Sequence, residues 1–180
     1  MLSAHQDTYQ YFGTLIYNQF MIIFINGSIN SGKSTISKLL QKDLENTAIV
    51  EIDTLRAFIE WMPLKEAIPI NLKNTVSVIK NFISKEMNVI VPYPLSKENH
   101  QYFMKNLESL TKLYFVTLSP DIVNVLKNKG NRSLDDWEVN RIKYHYKIGI
   151  NNPDFGKIID NSNQTPEETT EIISEYIRNN

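Results

Sequence analysis

The sequence predicts an α/β fold: a three-layer sandwich whose middle layer is a five-stranded parallel sheet. Three observations predict it. Short apolar runs rich in β-branched residues recur five times along the chain. Stretches with apolar residues three and four apart lie between them, so strands alternate with helices and the connections are right-handed crossovers. The first run, Met-Ile-Ile-Phe-Ile at 21–25, is apolar at every position, as a strand covered on both faces must be.

The chain has 180 residues, enough for one domain with a full core. Residues 1–20 are polar and aromatic-rich without clean periodicity and read as an N-terminal extension; 21–180 read as the domain. Strands are expected at 21–26, 48–52, 88–91, 113–118 and 157–160. The helix at 33–44 carries Ile36, Leu39, Leu40 and Leu44 on one stripe. Helices are also expected at 54–61 and 71–85, with Pro63 and Pro69 breaking the chain between them. Three more follow: 97–110, 120–129 with Pro120 in its first turn, and 134–150 with Ser133 and Asp136 as a capping box. The last helix, 165–178, is the best marked, with Thr165 as N-cap, Pro166 at the first helical position and Glu168 completing the box.

Composition excludes several activities. With no cysteine there are no disulfides, thiolate metal sites or cysteine nucleophiles. The three histidines, His5, His100 and His145, lack metal-ligand spacing. A net charge of −1 argues against a long nucleic acid or an anionic membrane as the main partner. No apolar run approaches the roughly 20 residues of a membrane span, and the first 20 residues do not read as a signal peptide, so a cytoplasmic protein is expected.

The strongest motif is Gly27-Ser28-Ile29-Asn30-Ser31-Gly32-Lys33-Ser34, followed by Thr35. It satisfies G-x-x-x-x-G-K-[ST] between a strand and a helix. Gly27 and Gly32 allow backbone angles and close approach that side chains block. The amides then form a nest for phosphate oxygens, and the helix N-terminus adds positive charge. Lys33 bridges the outer phosphates and Ser34 ligates magnesium. The motif therefore predicts a nucleoside triphosphate with Mg²⁺. Asp53, at the carboxyl end of the second strand, is placed near the terminal phosphate, as base toward a hydroxyl or as metal-positioning group; it also suits a helix N-cap. Arg56, three residues on, suits an acceptor or phosphate contact, or a solvated surface.

With these residues the chain resembles the P-loop small-molecule kinases of the nucleoside-monophosphate-kinase-like group, which have the P-loop containing nucleoside triphosphate hydrolase fold. Ile25 through Thr35 is most similar to the chloramphenicol phosphotransferase type, and Asp53-x-x-Arg56 resembles an element of polynucleotide 5′-kinases. Shikimate and gluconate kinases share the pattern. The resemblance implies ATP as the cofactor, strand order 2-3-1-4-5 and an aspartate acting on the acceptor hydroxyl. It also implies an arginine-bearing lid, matched here near 127–150, with Arg132 catalytic and Arg141 contacting substrate. The stripe of Trp137, Arg141, Tyr144 and Ile148 nevertheless has the spacing of a core face. His145 is a poor candidate for a base, and Asp160 suits a turn after the fifth strand.

One departure stands out. Val91-Pro92-Tyr93-Pro94 ends the third strand with no acidic residue to position magnesium. Tyr93 and the prolines instead suit an aromatic acceptor pocket. The expected function is ATP-dependent transfer of the γ-phosphate to a hydroxyl of a small molecule. The alternatives are a non-catalytic nucleotide binder, a nucleotide hydrolase, or a kinase acting on a nucleotide or oligonucleotide 5′-hydroxyl.

Overall fold

The computed structural model describes residues 20–127 and 133–180. Residues 1–19 and residues 128–132 of the expected lid, Arg132 among them, lie outside the described residues. Strand β1 (Met21–Asn26) is central, paired in parallel with β3 (Asn88–Pro92) on one side and β4 (Lys112–Leu118) on the other. Strands β2 (Thr47–Ile49) and β5 (Lys157–Ile159) pair outside β3 and β4, giving the order β2-β3-β1-β4-β5.

The side-chain alternation of β1 divides the core. Ile22 and Phe24 point into one layer, with Leu72, Val76 and Ile79 of helix α3 (Leu64–Ile83) and Phe103 and Leu107 of α4 (Lys97–Leu107). Met21, Ile23 and Ile25 point into the other, with Ile36 and Leu40 of α1 (Lys33–Asp43) and Ile173 and Ile177 of α7 (Pro166–Asn179). Helices thus cover both faces, which is why β1 carries no polar residue before its last position. Pro92 fits inside a strand because its missing N–H falls on the β2 side, where β2 has already ended at Ile49 opposite Ile90.

Several boundaries differ from expectation. Helix α3 begins at Leu64 and runs through Pro69. Pro69 lies in the second turn and forfeits one backbone bond, while the buried stripe Ala67, Asn71, Leu72, Thr75, Val76, Ile79 and Ile83 holds the helix to the sheet. Strand β2 stops at Ile49, so Asp53 sits in the first turn of a short helix α2 (Ile52–Arg56), which continues as one 3₁₀ turn (Ala57–Ile59). Asp53 is therefore not at a strand end, and Glu51 holds the N-cap position. Helix α5 spans only Ile122–Val125, with Pro120 before it. The Asn30 amide takes the carbonyls of Val125 and Lys127, at 2.8 and 3.0 Å, that a longer helix would bond itself. Helix α6 (Asp136–Lys147) is closed by a capping box of Asp135 and Glu138 rather than Ser133 and Asp136. The box of Thr165 and Glu168 opens α7 with Pro166 at its start.

Phe24 is fully buried, with its ring 4.8 Å from those of Phe115 and Phe103. Phe24→Ala is expected to cost about 3–5 kcal/mol of unfolding free energy, measured by urea denaturation; a loss below about 1 kcal/mol would contradict this packing.

Candidate functional site

The turn from β1 into α1 wraps a concave loop. Gly27 has φ 141° and Gly32 φ 104°, and Asn30 adopts the left-handed conformation at φ 63°. A Cβ at position 27 would stand 2.6 Å from Ser31 Oγ and 2.7 Å from the Leu118 carbonyl oxygen, so glycine is required there. Helix α1 starts with no side-chain cap and no acidic residue in its first turn. Its positive end is uncompensated by side chains and faces the loop. Lys33 Nζ donates to the Gly27 and Ser28 carbonyls at 3.0 and 2.7 Å, so its charge lies across the loop. Ser34 and Thr35 are exposed at the helix start.

Asn26 fixes this loop, and sequence reasoning passed over it. It is fully buried, yet its amide is satisfied on both sides. Oδ1 accepts from the Gly27 and Leu95 N–H groups, each at 2.7 Å; Nδ2 donates to Thr117 Oγ1 at 2.9 Å and to the Ile150 carbonyl at 3.0 Å. One side chain thus ties the loop to the segment after β3, to β4 and to the chain after α6. Its only signal in the sequence is a polar residue ending an apolar strand.

Helix α6 reads differently from its periodicity. Trp137, Tyr144 and Ile148 are exposed and do not form a core face; Ile142 and His145 are buried instead. His145 is 3% exposed, and its Nδ1 is hydrogen-bonded with Ser28 Oγ at 3.2 Å. Burial, then the charges of Arg141 and Lys33, push its pKa down to about 4, so the ring is neutral at neutral pH. Tyr146 Oη donates to the Pro120 carbonyl, and burial followed by Asp121 and Asp160 pushes its pKa up to about 12. The C-terminal half of α6 is therefore fastened to the phosphate loop and to the end of β4.

A cavity of about 1190 Å³ opens beside the loop. The 29–35 segment forms one wall; Asp53, Arg56, Tyr93 and Arg141 line the same space. Burial, reinforced by Asp53 and opposed by Arg141, raises the Tyr93 pKa, which places both charges within electrostatic reach of the phenol. Arg56 is differently engaged than a free phosphate contact would be. Its guanidinium donates to the carbonyls of Ile59, Glu60 and Met62, the last two at 3.1 and 2.7 Å, capping its own helical segment. After β5, Asn161 Nδ2 donates to the Ser31 carbonyl at 3.1 Å, whereas the exposed Asp160 accepts from Ser162 in a turn.

Two buried atoms at this loop, Ser31 Oγ and Asn161 Oδ1, have no protein partner, as suits a wall built for a polar ligand. Among the described residues, no group of three or more His, Asp or Glu side chains could hold a metal unaided. The oxygen donors Ser34 and Asp53, facing one cavity, nonetheless fit magnesium, which takes few protein ligands beside phosphate and water. Among the described residues, no helix is long and apolar enough to cross a membrane.

His145 gives a pH test. Its folded pKa lies below the unfolded value of about 6.5, so its contribution is whole above that value and is lost as pH falls toward about 4. Unfolding free energy is expected to drop between pH 7 and pH 4.5 by on the order of 2 kcal/mol more in the native chain than in His145→Gln. Urea titrations at both pH values measure this; identical losses would contradict it.

No family model matches the chain, and no curated protein does. Solved structures do. A sugar kinase from Janibacter sp. aligns at TM-score 0.67 with 14% identity, over 89% of this chain and 95% of that one. The tunicamycin resistance protein of Deinococcus radiodurans aligns at TM-score 0.64 with 19% identity, over 88% and 96%. The APS kinase of Mycobacterium tuberculosis, in complex with AMPPNP and APS, aligns at TM-score 0.64 with 16% identity, over 89% and 98%. The sheet order, the glycine-bearing loop after β1 and these whole-length alignments give one conclusion: the chain has the P-loop kinase-like fold.

Proposed function

We propose that this protein is an ATP- and magnesium-dependent phosphotransferase that moves the γ-phosphate to a hydroxyl of a small molecule. The observation that carries the reading is that the phosphate loop, Asp53, Tyr93 and Arg141 line one cavity. The kinases among the structural neighbours support it at the level of phosphoryl transfer.

The loop amides from Gly27 to Gly32, with Ser28, Ile29, Asn30 and Ser31 between them, and the amides opening α1 through Thr35, hold the nucleotide phosphates. Lys33 adds its charge to the outer phosphates. Ser34 and Asp53 would hold magnesium, which would supply positive charge against the phosphates. Asp53 accepts the proton of the acceptor hydroxyl as that oxygen forms its bond to the γ-phosphorus. The bond from phosphorus to the ADP oxygen breaks, and ADP leaves. Arg141, with Arg132 from the lid, offsets charge on the transferring group. Tyr93 bounds the acceptor. Arg56 locks the turn after α2 through its bonds to three carbonyls and offers substrate the N–H groups that those bonds leave over.

A second reading, a nucleotide-responsive binder, draws on the lack of a carboxylate at the end of β3, where Pro92, Tyr93 and Pro94 stand. Nucleotide turnover separates the two. ADP formation is expected to depend on an added hydroxyl acceptor and to fall roughly 10²–10⁴-fold in Asp53→Ala, with ATP binding retained. Lys33→Ala is expected to lose turnover by roughly 10²–10³-fold, the effect of removing a transition-state charge contact. Background turnover in the native chain with every acceptor favours the binder. Equal ADP formation with and without acceptor contradicts both.

A further inference from the structure

We propose that His145 is a positioning residue for the phosphate loop. Through its bond with Ser28 it holds the first turn in the shape that receives a polyphosphate, and so sets nucleotide affinity without bonding the nucleotide itself. The inference rests on the loop being the nucleotide site and is independent of the acceptor.

The loop needs such a hold. Between positions 27 and 32, Gly27, Asn30 and Gly32 all stand at positive φ. That winding turns amides toward one point, where their like ends repel until an anion sits among them. Fixing such a backbone also costs conformational entropy, and whatever is not fixed beforehand weakens binding.

The loop is held from outside at successive positions. The Gly27 N–H donates to Asn26 Oδ1. The Ser28 hydroxyl is hydrogen-bonded with His145 Nδ1 at 3.2 Å. Asn30 Nδ2 donates to the Val125 and Lys127 carbonyls, and Asn161 Nδ2 donates to the Ser31 carbonyl. Of these ties, only that of Ser28 and His145 joins two side chains, so it can be cut from either end without touching the backbone.

Both partners are buried, Ser28 at 1% and His145 at 3% exposure, so either group cut off from the other meets no water in its place. The Ser28 carbonyl also accepts from Lys33 Nζ at 2.7 Å, so a shift of Ser28 carries the anchor of the lysine with it. The ring is presented from a fixed backbone: Tyr146, next to it, donates to the Pro120 carbonyl, and the Ile150 carbonyl accepts from Asn26. Burial, then Arg141 and Lys33, keep the ring neutral at neutral pH, so the tie adds no charge to the loop.

Calorimetric titration of the full chain with AMPPNP and magnesium tests this in a double-mutant cycle. Ser28→Ala and His145→Phe are each expected to raise Kd about five- to tenfold, the effect of one lost buried hydrogen bond. The double variant is expected to lose no more than the larger single loss, because both remove the same bond. His145→Asn, whose amide stands where Nδ1 stands, is expected to restore Kd to within about twofold of native. Ile142→Val, fully buried on the same helix, is expected to lower unfolding free energy in urea while leaving Kd within about twofold. Native affinity in both single variants overturns the proposal, and so do losses that add in the double variant. An Ile142→Val loss of affinity as large as that of His145→Phe also overturns it, since the ring then only supports the helix. If His145→Phe does not fold, Ser28→Ala and His145→Asn decide: weakened binding in the first with restored binding in the second supports the proposal, and native affinity in the first overturns it. A native chain that takes up no AMPPNP overturns the nucleotide site and the proposal together. A native chain that binds AMPPNP and shows the cycle, yet forms no ADP from ATP, loses phosphoryl transfer and keeps the positioning role of His145.

Discussion

A single buried amide determines where everything else in the site lies. Asn26 ends the central strand, where the chain must leave the sheet and wrap back on itself. Its two acceptor and two donor bonds are all made, to Gly27, Leu95, Thr117 and Ile150. Those four positions belong to the phosphate loop, the segment after β3, strand β4 and the chain after α6. An amide with every bond made, in a site closed to water, rigidifies its surroundings because loss of any partner leaves an unsatisfied buried group. The loop that would hold a polyanion and the walls that would hold an acceptor are thus fixed to one another through one residue.

Helix α6 follows the same logic. At its C-terminal end α6 is fastened three times: His145 to the phosphate loop, Tyr146 to the end of β4, and the following Ile150 to Asn26. At its other end Trp137, which is exposed, and Arg141 border the cavity. One end of the helix is bonded to the loop and the other lines the cavity. The neutral state of His145 belongs to this arrangement, since a charged ring there would face Lys33 and Arg141.

Much of this was legible in the sequence, for physical reasons that differ from one residue to the next. Gly27, Gly32, Lys33 and Ser34 announce the loop because each position tolerates few side chains. The run at 21–25 announces a central strand because both its faces must be apolar. Capping residues announced α7 correctly, since Thr165, Pro166 and Glu168 act locally. The start of α3 was hidden because the buried stripe from Ala67 to Ile83 outweighs the bond that Pro69 forfeits. The length of α5 was hidden because Asn30, nearly 100 residues earlier in the chain, takes its carbonyls. The Trp137, Arg141, Tyr144 and Ile148 stripe has core spacing, yet it faces the cavity mouth and solvent, and the covered face is that of Ile142 and His145. Arg56 carries the type and spacing of a phosphate ligand, and only three-dimensional placement shows the carbonyls it caps.

Calorimetric titration of the chain with AMPPNP in the presence of magnesium tests the central claim most directly, because every step of the proposed function begins with a polyphosphate in the loop after β1. Saturable heat at one site, lost in Lys33→Ala, is the predicted result. No heat at millimolar nucleotide from a folded native chain would contradict the account at its root.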